Sequence, residues 1–556
     1  MISLFSICLF FILLIPVRFL YNLWWIPFRV KNILQSQGLK GPAYKFIHGN
    51  TKEIIEMKKQ ARSSPMDVSS HDIYPRIHPH LYLWMKLYGQ NFIMWDGARP
   101  QIVVSEPELV KEILINKEGK YGKIKPGRYL NKLLGEGIVI AEGEKWSKLR
   151  KLANHAFHGE SLKDMVPSMI ASVDTMLETW RKYEGKEIDV GEQFRFLTSD
   201  VISRTAFGSS YLEGRKVFET LTKLCVIISR NAHKIRYFGI EKLIRSQNDV
   251  EADETEQLLH DSIMAIVKMR EDEVKAGRAD SFGTDFLGSL LKVHHDMDKK
   301  NRISVVDLID ECKTFYFAGQ ETTYSLLCWS ILLLAIHTDW QERARKEVLE
   351  LFGQENPNSE GIARLKTVTM IIYETLRLYS PVVAISRHIH RNVQLGKYEL
   401  PGNMDLIIPT LALHRNFEIW GEDAHLFKPE RFAEGSAKVG NINSMAYLPF
   451  GYGPRACVGL NFAANEAKIT LSMILQRYKF SLSPNYVHVP FQVLTAQPEK
   501  GVQVHPRLWP PRLSLFGTVL VALCLRDNSV EYGACVCTVV ALTALAFPLL
   551  GLDDHT

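Results

Sequence analysis

Apolar residues recur at helical spacing over most of the chain between residues 51 and 507. Side chains three and four positions apart share a helix face, so the repeat predicts helices over 109–114, 162–180, 255–276, 305–335, 341–352 and 362–378. Short runs rich in β-branched residues predict strands at 91–94 and 101–104, and around 383–390, 395–398 and 406–409. Polar connectors lie at 280–285 and 296–301, and a loop with Asn356-Pro357-Asn358 at 355–360. The expected fold class over residues 51–508 is mainly α with one small β-sheet region (α+β).

The two ends carry a different pattern. Residues 2–17 are uncharged and mostly apolar. Arg18 interrupts them, residues 19–28 continue apolar with Trp24 and Trp25, and Arg29, Lys31 and Lys40 follow. Together they are long enough to span a bilayer, with tryptophans at the interface and the following chain on the cytosolic side. Residues 1–28 are therefore expected to be an uncleaved membrane anchor, since no basic n-region and no small-x-small cleavage site is evident. Residues 29–50 are expected to be a hinge around Gly38-Leu39-Lys40-Gly41-Pro42. Near the other end, residues 534–552 form an uncharged apolar run, long enough for a second span, inside a 509–556 extension.

Composition narrows the class. The 556 residues are 46% hydrophobic and 23% charged, with a formal net charge of +6. That balance is globular and too mildly basic to argue for nucleic acid. Eight cysteines (Cys8, Cys225, Cys312, Cys328, Cys457, Cys524, Cys535, Cys537) lack disulfide-framework spacing, which fits a reducing compartment. Cys535-x-Cys537 has no second pair nearby and does not read as a metal site. No GxGxxG follows a strand before a helix, so no dinucleotide-binding module is expected.

The densest chemistry is Phe450-Gly451-Tyr452-Gly453-Pro454-Arg455-Ala456-Cys457-Val458-Gly459, an F-x-x-G-x-R-x-C-x-G run before an apolar helix expected over 460–478. Glycines remove the Cβ atoms that would keep a flat cofactor away from the sulfur, and Arg455 can bond an anionic edge group. Amide N–H groups and the start of the helix stabilise a thiolate. Glu374-Thr375-Leu376-Arg377 is E-x-x-R at helical spacing, within ion-pair reach.

This run resembles the haem-ligand loop of the cytochrome P-450 superfamily, the haem-thiolate monooxygenases. Four further segments, Glu374-Thr375-Leu376-Arg377 among them, resemble that family in the right order, and the resemblance implies one large domain over residues 51–508. Ala318-Gly319-Gln320-Glu321-Thr322-Thr323 is similar to its oxygen-activating turn, where small residues make room beside the iron, Thr322 bonds oxygen and Glu321 relays protons. Trp146-Ser147-Lys148-Leu149-Arg150 is similar to its propionate grip. Phe427-Lys428-Pro429-Glu430-Arg431-Phe432 is similar to the segment whose arginine joins the E-x-x-R pair. Arg387 sits where the family places a haem-edge strand.

The resemblance implies haem b bound by Cys457, with Trp146, Arg150, Arg387, Phe450, Gly453, Arg455 and Gly459 as cofactor contacts. It makes Glu321 and Thr322 catalytic, and Glu374, Arg377 and Arg431 structural. It implies a monooxygenase on the cytosolic face of the endoplasmic reticulum, taking O2, a lipophilic substrate and electrons from an NADPH-dependent reductase. Lys145, Lys148, Lys151 and Lys468 would offer the reductase a basic patch. A typical member would stop near residues 501–508. Finer features, Asn461-Phe462-Ala463 and Asn154-His155-Ala156-Phe157-His158 among them, resemble a plant clan that includes secologanin synthase and hydroxylases inactivating brassinosteroids and gibberellins. That points to an isoprenoid, steroid or hormone-like substrate. Two alternatives remain: a reductase-independent isomerase or dehydratase of peroxides, and a non-catalytic haem-binding product. The peroxide enzymes often lose the acid–alcohol pair and carry an insertion before the cysteine; this chain keeps the pair and lacks the insertion.

Overall fold

The computed structural model describes residues 17–231, 245–435 and 444–509. Its axis is helix Val305–Ile336, 32 residues long and buried on nearly every side. At 1.5 Å per residue it runs about 48 Å. A reciprocal cap starts it: the Ser304 hydroxyl accepts Asp307 N–H at 3.0 Å, and Asp307 Oδ2 accepts Ser304 N–H at 3.1 Å. Helices Glu160–Trp180, Val190–Phe207, Thr367–Leu378 and Leu460–Arg477 pack around it or around one another. An aromatic knot ties the site's helices together. Phe157 lies 5.2 Å from Phe315 and 5.5 Å from Phe462 between ring centroids, and Phe286 lies 4.1 Å from Phe315.

Most expected helices are found with ends shifted by a few residues. One is divided: 362–378 is Ser359–Arg364 followed by Thr367–Leu378. The break is tertiary in origin. Glu347, from helix Thr338–Phe352, accepts the N–H groups of Lys366, Thr367 and Val368 at 2.7–3.0 Å and so caps a second helix start.

The strands need a larger correction, because four sheets rather than one are found among the described residues. The main sheet has five strands. Asn91–Asp96 pairs antiparallel with Arg99–Val104, which runs parallel to Met404–Ile408. Ile385–Ile389 pairs antiparallel with Met404–Ile408 and carries Tyr121–Gly122 on its other edge. A second sheet joins Ile188–Asp189, Gln503–Leu508 and Tyr478–Leu482. Tyr478–Leu482 follows its helix without a breaker, and Pro506 reads against a strand. The ladder to Ile188–Asp189 reaches only Gln503 and Val504, so the missing N–H of Pro506 costs nothing on that flank. Hairpins Val393–Leu395 with Tyr398–Leu400, and Pro490–Gln492 with Ala496–Pro498, complete the set.

Residues 29–50, expected as a hinge, begin inside helix Ile26–Ser36 and pack on the main sheet. Leu34 and Leu39 are buried, and a Cβ at Gly41 would fall 1.9 Å from the Ile93 carbonyl oxygen. Residues 1–16 of the expected anchor, and the extension beyond Trp509 with its apolar run 534–552, lie outside the described residues. Among the described residues no helix is long and apolar enough to cross a membrane. Val17, Phe19, Leu20, Tyr21, Trp24, Trp25 and Phe28 are nevertheless exposed.

Several histidines are sealed in seams between elements. His71 Nδ1 meets Tyr379 Oη at 3.0 Å, His78 Nε2 meets Gln492 Oε1 at 2.9 Å, and Leu448 N–H donates to His414 Nε2 at 2.8 Å. Burial, reinforced by neighbouring positive groups, pushes His71, His78 and His414 from 6.5 down to about 3 and His488 to about 4. The unfolded chain takes up protons near 6.5, while the folded chain does not until those lower values. Stability is therefore full above pH 6.5 and lost as pH falls toward 3–4, by up to about 1.4 kcal/mol per pH unit for each histidine. Denaturant unfolding at stepped pH tests this. Constant stability between pH 6.5 and 4.5 would contradict it, and His78→Gln should make the dependence shallower.

Candidate active site

The loop around Cys457 is closed by its own backbone: Cys457 N–H donates to the Phe450 carbonyl at 2.8 Å. Gly453 has φ +73°, and a Cβ there would lie 2.6 Å from the Leu114 carbonyl oxygen. Glycine thus serves both the left-handed backbone and the close approach of helix Pro107–Ile115. The Gly459 N–H bonds the sulfur, one residue before helix Leu460–Arg477 begins. The Cys457 side chain is exposed, yet protein surrounds it closely enough that burial pushes its thiol up, against the pull of Gly459 N–H and Arg150. A reachable but poorly solvated sulfur calls for a cation to hold it as thiolate.

Positive charge gathers beside the loop. The Arg455 guanidinium lies 4.2 Å from the centre of the Trp146 ring and donates to the Ala141 carbonyl at 2.7 Å. Arg150, one turn after Trp146, donates to the Ala456 carbonyl at 2.6 Å and to Asn154 at 3.0 Å. Arg387 is buried and bonds its neighbour, the Ser386 carbonyl, at 2.9 Å. Strand pairing of Gly122 with His388 brings in Lys123, which the sequence reading did not single out. Burial, then the charges of Arg387 and Arg455, push the Lys123 ammonium down to about 7. Burial and Arg455 lower Arg387 to about 10. Glu142 is the carboxylate acting on these groups; its Oε1 accepts Lys123 N–H at 2.7 Å. His388 is not a candidate ligand, because its Nδ1 is paired with Asp405 at 2.7 Å.

On the long helix, Ala318 is exposed and Phe317, Gly319 and Thr322 are half-buried, while most of the helix on either side is enclosed by protein. Thr322 Oγ1 donates to the Ala318 carbonyl at 2.7 Å, the usual resting bond of a mid-helix threonine. Glu321 is turned the other way. Its Oε2 accepts Arg195 Nη1 at 3.1 Å and its Oε1 accepts the Thr495 hydroxyl at 3.4 Å. Neither Arg195 nor Thr495 carries a local signal in the sequence that marks it as a partner of Glu321.

The Cytochrome P450 family profile matches residues 70–505. The chain is 56% identical over 500 residues to Cytochrome P450 CYP749A22 of Panax ginseng, covering 90% of this chain and 95% of that protein. The chain belongs to the cytochrome P450 family. It is also 40% identical over 503 residues to an 11-oxo-beta-amyrin 30-oxidase of Medicago truncatula, covering 88% of this chain and 95% of that protein. Secologanin synthase 2 of Catharanthus roseus is 42% identical over 491 residues, covering 86% and 92%.

As a cytochrome P450 the chain is an oxygen-incorporating oxidoreductase with thiolate-ligated haem b. Its residues fit that cofactor. Among the described residues no group of three or more His, Cys, Asp or Glu could hold a metal ion. An iron held by one protein sulfur must therefore bring its other ligands with it, as a macrocycle does. The cations served by one carboxylate match the anionic edge of such a ring.

Behind the cysteine loop, Arg377 Nε and Nη2 donate to the two oxygens of Glu374 at 2.7 Å each, with both side chains fully buried. Arg377 also donates to the carbonyls of His414, Ala424 and Leu426. Arg431 Nε stands 3.7 Å from Glu374, while its Nη2 pairs more closely with Asp423. The basic patch is weaker than its sequence suggests. Lys145 pairs with Asp307 at 2.6 Å, Lys148 donates to the Arg302 carbonyl and Lys468 to that of Ile362; Lys151 is exposed. Removing one partner of the buried pair strands a charge, so Glu374→Ala should cost on the order of 3–5 kcal/mol. Denaturant unfolding of the variant checks this, and a loss below about 1 kcal/mol would deny Glu374 its locking role.

Proposed function

We propose that the chain is a membrane-bound haem monooxygenase that inserts one oxygen atom from O2 into a lipophilic, isoprenoid-type substrate, using electrons from an NADPH-dependent reductase. The observation that carries this reading is a reachable Cys457 beside Arg150 and Arg455, with Lys123 and Arg387 next to Arg455 and Glu142 as the carboxylate acting on Lys123, Arg387 and Arg455. Cys457 is the proposed iron ligand. Arg150, Arg387 and Arg455 hold the propionates with Trp146, while Phe450, Gly453 and Gly459 shape the loop. When bound, the haem supplies reductive activation of oxygen, which thiolate ligation promotes.

The chain's own residues then manage access and protons. Ala318 leaves space where a larger side chain would block it. Glu321, held on its outer side by Arg195 and Thr495, passes protons inward. Thr322 Oγ1 exchanges its bond to the Ala318 carbonyl for one to the reacting oxygen and delivers the proton there. The relative named for 11-oxo-beta-amyrin and the secologanin synthases support an isoprenoid substrate. The exposed apolar side chains from Val17 to Phe28 support a membrane anchor at 1–28 on the endoplasmic reticulum, with the domain 51–508 in the cytosol.

The reduced protein under carbon monoxide should show a Soret band displaced far to the red, and Cys457→Ala should lose it. Absence of that band in folded, haem-loaded protein would sink the ligand assignment. With NADPH and a plant reductase, metabolite profiling over terpenoid and hormone panels should show a substrate gaining one oxygen. Consumption of a fatty-acid hydroperoxide without reductase would instead identify a peroxide isomerase. Thr322→Ala should release more hydrogen peroxide per NADPH consumed, by roughly tenfold if proton delivery through its hydroxyl is lost; unchanged coupling would refute that role. A chain lacking residues 1–28 should leave the carbonate-resistant membrane fraction, and its retention there would move the anchor elsewhere.

A further inference from the structure

The connection from helix Arg128–Leu134 to helix Gly143–Ala156 is pinned along its backbone by one patch of the long helix Val305–Ile336. Asp310 Oδ2 accepts Glu136 N–H at 2.9 Å. Glu311 Oε1 accepts Ile138 N–H at 2.5 Å. Thr314 Oγ1 donates to the Leu134 carbonyl at 3.0 Å. Two glycines permit this approach. A Cβ at Gly135, where φ is +60°, would fall 2.0 Å from the Asp310 carboxyl, and one at Gly137 would fall 2.7 Å from Glu311 Oε1.

The far end of the same connection reaches the cation cluster. The Ala141 carbonyl accepts Arg455 Nη1 at 2.7 Å, and Glu142 Oε1 accepts Lys123 N–H at 2.7 Å. Residues 134–142 thus run as a strap from the long helix to the groups that face the cofactor edge. Glu311 is wholly buried, its second oxygen has no protein partner, and burial pushes its carboxyl up to about 8. A buried acid that serves a single backbone N–H is a costly way to hold a loop. An apolar residue would suit packing better. Seven and eleven residues along the helix, close to whole turns, Ala318 and Thr322 lie on the same face as Glu311.

We propose that Glu311, supported by Asp310, is a positioning residue: it pins residues 134–142 to the long helix and so fixes Arg455, holding the haem edge in register with Ala318 and Thr322. The proposal rests on the haem reading above. Glu311 touches neither substrate nor cofactor and acts through the strap.

The test compares Glu311→Ala, Glu311→Gln and Gly137→Ala as full-length, haem-loaded proteins. The readouts are the rate of haem transfer to an excess of apomyoglobin, the carbon monoxide spectrum and the thermal midpoint. Glu311→Ala should release haem roughly tenfold faster, the scale of one lost buried hydrogen bond. Glu311→Gln keeps a carbonyl acceptor for Ile138 N–H and should stay within about twofold of the parent. Gly137→Ala leaves Glu311 intact but pushes the strap away, and should reproduce the fast release. Wild-type release from folded Gly137→Ala, or from folded Glu311→Ala, would overturn the proposal. So would equal acceleration by Gln and Ala, which would mark a charge effect rather than a pin. If the parent itself lacks a thiolate-type carbon monoxide band, the haem reading fails and the strap falls with it. A normal parent band with unchanged release in the variants removes the strap alone.

Discussion

Lys123, Arg150, Arg387 and Arg455 crowd one flank of the cysteine loop; Glu142 is the carboxylate that acts on Lys123, Arg387 and Arg455, while Arg150 acts on the Cys457 sulfur. Burial, reinforced by repulsion among these cations, drives Lys123 down to about 7 and Arg387 to about 10. The cluster is built on rigid supports. Strand pairing of Gly122 with His388 brings Lys123 beside Arg387, a helix carries Arg150, and the turn before Cys457 carries Arg455 over Trp146. Under the proposed ligation, a dianionic cofactor edge would offset this repulsion and its iron would take up the poorly solvated sulfur, which would couple cofactor binding to completion of the fold.

The chemistry of the cysteine loop was legible because its signals are local. Phe450, Gly453, Arg455, Cys457 and Gly459 lie within ten residues, and closing the loop takes one bond between its own ends. The Glu374–Arg377 pair was legible for the same reason, at one turn of helix. What stayed hidden depends on distant segments. Lys123 becomes a site residue only through a two-residue strand paired across the chain with Ile385–Ile389, too short to show alternation. Glu347 divides an apolar run that reads as one helix, since a carboxylate capping another helix leaves no mark beside the residues it caps. Strand Gln503–Leu508 was concealed by Pro506, which is harmless because the ladder on one flank stops at Val504 and only the Pro506 carbonyl is used there, accepting Gly185 N–H at 2.9 Å.

The distal side shows a different division of labour. Glu321 and Thr322 are adjacent in sequence but lie about 100° apart around the helix, so they cannot serve one direction. Thr322 takes the face of Ala318, while Glu321 faces Arg195 and Thr495. Glu321 pairs there with Arg195, whose guanidinium also lies 4.1 Å from the Tyr324 ring. Sequence spacing identifies the pair, but the direction of each member follows from helices Val190–Phe207 and Val305–Ile336 packing together and from the hairpin that carries Thr495.

Rigidity in the long helix is what makes a single opening useful. Its residues are enclosed over most of 32 positions, and the aromatic knot of Phe157, Phe286, Phe315 and Phe462 binds it to the helix that follows the cysteine. In that setting the small side chain of Ala318 is a fixed gap, because close-packed neighbours do not relax into it. A helix held less firmly would close such a gap by shifting a fraction of a turn. Thr322 has its resting partner at the gap's edge, the Ala318 carbonyl, so its hydroxyl stays hydrogen-bonded while directed toward the open side. The backbone bond, an ordinary feature of a mid-helix threonine, thus keeps the hydroxyl at one place, and the enclosing helices supply the place.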